Sequence, residues 1–486
     1  TPQPEQTGEA TDRADELTTL IGQIDAWLQS PNHAEASARL RDSSATVLRL
    51  TEEKSPLRTA ILAWIEAGTA MLAADARAAE ACAAPGEQVV CTDARLDYQA
   101  RAAENNRSTA ERILVIFELN GGNDGLNTVI PVKDPIYRAA RPTLAIPVES
   151  GLELDGGIAL HPSMTAMRKL FVDRRLAIIQ GAGYPNANRS HFRSMEIWHR
   201  GDPAKEVTSG WLGRWWDRSE HPNCESPVPV VHYDKNRPEM FKSARAPSMS
   251  INAIDDFFPR SGKPESVAIT RLYHENAPAT RPADMAEPRD VVLTPQEVIT
   301  ATGLDIVKGA EAIRAILRNP RTPKATYPEH RVGRGLSIFA QMIVQNVGTK
   351  LFYISLGGFD THGRQAEGHA RLLETVSQSL GAFLDDLTAE KREKDVLVMV
   401  FSEFGRRVKE NGSQGTDHGA ASIMFFAGGA VRGGLLGRYP SLDRLDDGDL
   451  RYTTDFRDCY ATVLDRWLGT DPARVLSKHD GRVDFL

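Results

Sequence analysis

Five short motifs hold most of the residues in this chain that can do chemistry. They read Gly-Gly-Asn-Asp-Gly-Leu-Asn (121–127), Arg-Ser-His-Phe (189–192), Gly-Gly-Phe-Asp-Thr-His (357–362), Ser-Glu-Phe-Gly-Arg (402–406) and Thr-Asp-His-Gly (416–419). Asp360 and His362 alternate in an extended segment, so both can face one ion. A carboxylate with an imidazole suits Zn, Mn or Fe better than Mg or Ca; the plainer alternative is a strand-end carboxylate beside a surface histidine. Asp417 and His418 can serve one ion or two neighbouring ions, or form a solvated loop pair. Glu403 is a candidate ligand or general base. Arg406 could hold an oxyanion with its planar fork, or the two could make a surface ion pair.

Asp124 and Asn127 offer oxygens to a cation among glycines that permit tight turns, or they build an Asx-type turn with no ligand role. The motif is not a phosphate-cradling loop, since the Gly-Lys-Ser/Thr ending and the dinucleotide glycine spacing are both absent. Ser190 stands where a helix should begin. Backbone amides and the helix dipole favour anions there, which suits a nucleophile attacking phosphorus or sulfur; the alternative is a simple N-cap. His191 is the adjacent candidate base.

These residues need a frame. Three of the five motifs follow apolar, strand-like runs, at 113–119, 351–356 and 396–401, and ligands in open α/β sheets bind beyond the carboxyl ends of strands. Further strands are expected at 176–180, 229–233 and 423–427, and helices at 163–173, 331–347, 365–389 and 456–468. Apolar strands alternating with amphipathic helices indicate an α/β fold with a mainly parallel central sheet flanked by helices. Between about 234 and 330 the alternation lapses. This reads as a cap-like, mostly helical insertion, with Thr294-Pro295-Gln296-Glu297 as a capping box opening a helix toward Leu317.

Residues 1–110 differ from the rest. Helical spacing over 14–28, 34–50 and 55–81 predicts an all-α N-terminal domain, read as a docking or stabilising element, ahead of an α/β domain over 111–486. Cys82 and Cys91 flank a Pro85-Gly86 turn, and a short disulfide loop is expected there, the alternative being two unrelated thiols. Cys459, on an amphipathic helix, is expected to be a buried small apolar residue.

The chain has 486 residues, 41% apolar and 25% charged, enough for a large core without disulfide staples. A formal charge of −7 argues against a general nucleic-acid or anionic-membrane binder, while leaving room for a local basic pocket. No apolar run reaches the ~18 residues a membrane span needs. The opening Thr1-Pro2-Gln3 carries neither Met nor an apolar leader and reads as a processed or trimmed N-terminus.

The five motifs, in this order, resemble domain-of-unknown-function family 1501, a family related to the alkaline phosphatase and sulfatase superfamily. The resemblance runs from about Arg112 to Asp471. It implies an alkaline-phosphatase-like sheet between helices, one or two divalent transition-metal ions, and a nucleophile on a helix N-terminus. By motif it assigns Asp124, Asp360, His362, Glu403, Asp417 and His418 as metal ligands and Ser190 as the nucleophile. Family members are commonly exported, often behind a twin-arginine leader, which implies a periplasmic or secreted protein. Two positions depart from the superfamily pattern: Asp360 and His362 are separated by one residue, and Glu403 stands where an Asp-His pair is expected. The Cys/Ser-x-Pro-x-Arg signature of sulfatase maturation is absent, which argues against a formylglycine nucleophile. The expected activity is hydrolysis of a phosphate or sulfate ester on an anionic small molecule or glycan. The alternatives are a non-catalytic exported binding or assembly protein with a degenerate metal site, docking a protein partner through the helical domain, and a metal-dependent enzyme acting on another bond, such as a peptide or acyl ester.

Overall fold

The computed structural model describes residues 112–251 apart from 205, 219–225, 227, 235 and 243–247, then 320–486 apart from 477, 478 and 480, with isolated positions at 23, 39, 313, 316 and 318. The chain divides into two units, Thr1–Arg107 and Ser108–Leu486. The expected N-terminal helices, the Cys82–Cys91 loop and the capping box at 294–297 lie outside the described residues. Among the described residues, no helix is long and apolar enough to cross a membrane.

Among the described residues, twelve strands and eight α-helices frame the site. The strands are β1 (Ile113–Asn120), β2 (Val129–Ile130), β3 (Leu152–Asp155), β4 (Ile158–Leu160), β5 (Leu176–Gly183), β6 (Val230–Tyr233), β7 (Ser248–Ser250), β8 (Leu351–Gly357), β9 (Val396–Phe401), β10 (Ser422–Ala427), β11 (Gly434–Leu436) and β12 (Thr454–Asp455). The helices are α1 (Gly125–Thr128), α2 (Pro135–Ala140), α3 (Thr165–Val172), α4 (His191–Arg200), α5 (Trp211–Arg218), α6 (Arg331–Val344), α7 (Gln365–Ala389) and α8 (Phe456–Thr462). All six strands expected from apolar runs are present. Helix α7 has the expected bounds, and α8 continues to Trp467 as a π turn.

The main sheet runs β11-β5-β10-β9-β1-β8-β6-β7, with β12 beside β5. All its pairings are parallel except those of β10, which runs antiparallel to both β9 and β5. Strand β7 is a departure from the expected helical insertion. Ser248–Ser250 extends the sheet by pairing with β6, and Met249 packs against the core.

Side chains alternate across each strand with period two. From β1, Val115, Phe117 and Leu119 enter one core with Met167 of α3, Phe339 of α6 and Phe383 of α7. Leu114 and Ile116 enter the other with Trp198 of α4, Trp211 of α5 and Tyr460 of α8. A strand buried on both faces reads as a continuous apolar run, which is why these segments stand out in the sequence. Cys459 lies in the second core as a free buried thiol, and burial pushes it well up.

The antiparallel course of β10 matters for the site. A strand that runs backwards starts at the edge where its neighbours end. The loop feeding β10, which carries Asp417 and His418, therefore arrives at the same edge as the loops leaving β1, β8 and β9.

Candidate metal centre

Four loops and one helix start meet at that edge. Gly121 and Gly122 follow β1 with φ of +121° and +74°, a region only glycine enters freely. A Cβ on Gly121 would lie 2.5 Å from the Asp360 backbone nitrogen, and one on Gly122 would lie 2.2 Å from the Phe404 ring. The two glycines thus let the β1 loop press against the loops after β8 and β9.

Arg406 locks this packing. It is buried, and its guanidinium donates to the carbonyls of Gly122 (2.7 Å), Thr416 (2.7 Å), Phe359 (3.0 Å) and Gly121, and to Asp360 Oδ1 (2.7 Å). The expected oxyanion-holding role gives way to this one: with its donors spent on four loop carbonyls, Arg406 clips the loops together and reaches the site only through Asp360.

Asp360 is the hub. Three imidazole nitrogens surround its Oδ1: His362 Nε2 at 3.0 Å, His418 Nε2 at 3.1 Å and His191 Nε2 at 3.6 Å. Ligand atoms of His191, Asp360 and His418 all fall within 4.8 Å of one another. Burial works to raise the Asp360 carboxyl, but hydrogen bonds from Arg406 and His418, with the neighbouring positive charges, hold it at about 2.

In each ring the other nitrogen is tied down. His191 Nδ1 pairs with Glu403 Oε1 at 2.8 Å, His362 Nδ1 with Asp417 Oδ1 at 3.2 Å, and His418 Nδ1 with the Arg189 carbonyl oxygen at 2.8 Å. Each partner is an acceptor, so Nδ1 carries a hydrogen and Nε2 is the atom turned inward. His362 Nε2 and His418 Nε2 are 3.0 Å apart. Among the described residues, His191 Nε2 is buried without a hydrogen-bond partner, and the hydrogen bond that His191 Nδ1 donates to Glu403 raises the His191 pKa.

Glu403 is fully buried. It accepts from the Gly121 amide (2.9 Å) and the Ser402 hydroxyl (3.0 Å) as well as from His191. Asp417 accepts from Asn411 at 3.0 Å, and that hydrogen bond leads the causes lowering its pKa. Both carboxylates, expected as ligands, stand behind a histidine and orient it.

Asp124 is a correction. Its oxygens are taken by a fully buried, two-pronged ion pair with Arg141 (2.6 and 2.9 Å) and by Gln365 Nε2. Burial works to raise its pKa, but the charge and hydrogen bonds of Arg141 outweigh this and lower it. Asn127 also accepts from Arg141, at 2.7 Å. The expected cation at this loop is a guanidinium of the chain itself. Arg141 carried no motif, and only its position in a Pro-flanked turn near the Asp/Asn loop could have pointed to it.

Ser190 occupies the N-cap position of α4, with φ −88° and ψ 125°, and its side chain makes no capping hydrogen bond. Its hydroxyl is on an exposed residue, directly before His191. The backbone part of the cap reading holds and the side-chain part does not.

An arrangement of three oriented imidazoles and one ionised carboxylate can hold a divalent cation. Its donor set fits: nitrogen and oxygen donors of intermediate softness, a buried Nε2 lacking a partner among the described residues, and two further Nε2 atoms 3.0 Å apart. A search of the curated proteins finds no match. Among solved structures, the chain is similar to a Bacteroides thetaiotaomicron chain described as "Metabolism of multiple glycosaminoglycans by bacteroides thetaiotaomicron is orchestrated by a versatile core genetic locus (BT33494S-sulf)", at 13% identity over 76% of this chain and 74% of that one, with a TM-score of 0.32. The family model described as "Protein of unknown function (DUF1501)" matches residues 110–484. The match includes all five motifs and every residue of the Asp360 cluster, and the chain belongs to that family.

Proposed function

We propose that the chain is a metal-dependent hydrolase of an anionic ester, phosphate or sulfate, on a small molecule or glycan, with its centre at Asp360. One observation carries this reading: three histidines, each fixed at Nδ1 by an acceptor, turn Nε2 toward one ionised carboxylate. The Nε2 atoms of His362 and His418 lie 3.0 Å apart, too close for both to carry a hydrogen between them, and two bare Nε2 atoms there would set lone pair against lone pair. A cation removes that repulsion. His191, Asp360, His362 and His418 hold the ion in this reading. Glu403, Asp417 and the Arg189 carbonyl are the outer partners that fix ring orientation and raise ligand basicity.

A divalent ion held there, Zn, Mn or Fe, supplies Lewis-acid polarisation of an ester oxygen and a lowered pKa for an attacking hydroxyl or water. The chain's own residues do the rest. The amides at the start of α4 favour a bound anion. Ser190, uncommitted as a cap, is the candidate nucleophile, although a serine hydroxyl needs activation to attack at neutral pH. Arg406 keeps Asp360 ionised and the four loops in register. An alkaline-phosphatase-like fold belongs to this reading, as does work outside the cytoplasm.

The test is elemental analysis of the purified chain together with a panel of chromogenic phosphate and sulfate monoesters, with and without chelator. The expected result is bound transition metal and turnover of at least one ester that chelation abolishes and metal restores. Metal binding without turnover of any ester would favour the non-catalytic binding protein. Chelator-insensitive turnover would overturn the metal-dependent mechanism.

A further inference from the structure

We propose that Asp449, which belongs to none of the five motifs, is a positioning residue of the metal centre, acting through Arg189 on His418. The inference rests on the metal reading of the Asp360 cluster.

The chain of contacts is short. His418 Nδ1 donates to the Arg189 carbonyl oxygen at 2.8 Å, so the place of that carbonyl decides where His418 Nε2 points. Arg189 sits in the loop between β5 and α4, two residues before His191. Its guanidinium is held by Asp449, with Nε 2.7 Å and Nη2 2.6 Å from Oδ2, and more loosely by Asp447 at 3.1 Å. The Asp447 side chain is 80% exposed and that of Asp449 only 4%. A solvated ion pair contributes little, so the sheltered Asp449 is the anchor.

Asp449 is itself held in place. Reciprocal backbone hydrogen bonds of 2.9 Å between Asp446 and Asp449 close the turn that carries it. Among the described residues its Oδ1 is buried without a hydrogen-bond partner, and it lies 3.7 Å from Arg407 Nε. The Arg407 amide donates to the carbonyl of Asp417 at 3.0 Å, the residue before His418. One buried carboxylate therefore touches both Arg189, whose carbonyl holds the His418 ring, and Arg407, whose amide holds the residue before it. A buried carboxylate oxygen left unsatisfied is costly and calls for an explanation. Fixing one imidazole at a cluster of four supplies it.

The experiment measures Zn affinity of the full-length protein by competition with a chromogenic chelator. It compares wild type, Asp449→Asn, His418→Ala, His362→Ala, and Asp449→Asn combined with each histidine variant. Outer-shell partners are worth about 10–100-fold in metal affinity, and for a group one step further out the lower end applies, about tenfold. That factor should shrink to within about twofold when His418 is absent and persist when His362 is absent, because only coupled residues depart from additivity. Equal factors in every background would mean a general structural role and would overturn the proposal, as would unchanged affinity in Asp449→Asn. If wild type binds no Zn, the metal reading fails first and this inference falls with it. If Asp449→Asn does not fold, Arg189→Lys, which keeps the charge and loses the fork, enters the same cycle with the same expected pattern.

Discussion

Replacing Asp124 with Asn separates two readings of the first motif. If Asp124 were a metal ligand, the variant would lose metal and keep its fold. The buried ion pair predicts the reverse. Both side chains are fully buried, joined by hydrogen bonds of 2.6 and 2.9 Å. Removing one partner of such a pair leaves an uncompensated buried charge and costs about 3–5 kcal/mol. Arg141 would keep three acceptors: Asn127 Oδ1 at 2.7 Å, the Arg407 carbonyl at 2.9 Å and the Val408 carbonyl at 3.0 Å. That places the expected loss near about 3 kcal/mol. With ~2.1 cal/mol/K of unfolding entropy per residue, about 380 residues give about 0.8 kcal/mol per kelvin, so the thermal midpoint should fall by about 4 °C. Scanning calorimetry gives the midpoints and elemental analysis the metal content. A variant of Asp124 with an unchanged midpoint and no bound metal would refute the argument.

Three buried histidines make the fold sensitive to mild acid. Burial, chiefly, holds His161, His232 and His369 down at about 4, against ~6.5 for a free imidazole. The unfolded chain takes up protons from pH ~6.5 downward while the folded chain does not, so stability falls between pH ~6.5 and ~4, by at most about 3 kcal/mol for the fully buried His369. His369→Gln should flatten that slope in denaturation series at pH 7, 6 and 5, and an unchanged slope would show the group to be unlinked. Ser190→Ala removes no capping bond, so stability should stay within about 0.5 kcal/mol while turnover of an accepted ester falls by orders of magnitude; retained turnover would leave water as the attacking group. Peptide mapping of native protein without reductant should recover Cys82 joined to Cys91, a closure worth about 2–3 kcal/mol in the chain-entropy model, and two alkylatable thiols would refute the bridge.

The strands were legible because burial on both faces leaves a plain mark, an unbroken apolar run such as residues 396–401. The convergence of the motifs was legible for the same reason, since three of them follow such runs. The direction of β10 was not: an apolar run has no arrow, and the arrival of Asp417 and His418 depends on that direction. Nor could motif reading rank carboxylates. Asp124, Glu403 and Asp417 look like ligands in sequence, but what each touches depends on partners far along the chain: Arg141 for Asp124, His191 for Glu403 and His362 for Asp417. Asp449 carries no local signal, because its effect runs through a salt bridge 260 residues away and then through a backbone carbonyl.

The most direct test of the central claim is a count of metal in the purified full-length protein and in His362→Ala/His418→Ala. Wild type, as isolated or after reconstitution with Zn, Mn or Fe, should hold at least one equivalent of transition metal. The double variant should fold and hold none. A wild-type protein that stays metal-free after reconstitution, or a double variant that binds as much as wild type, would contradict the metal centre at Asp360.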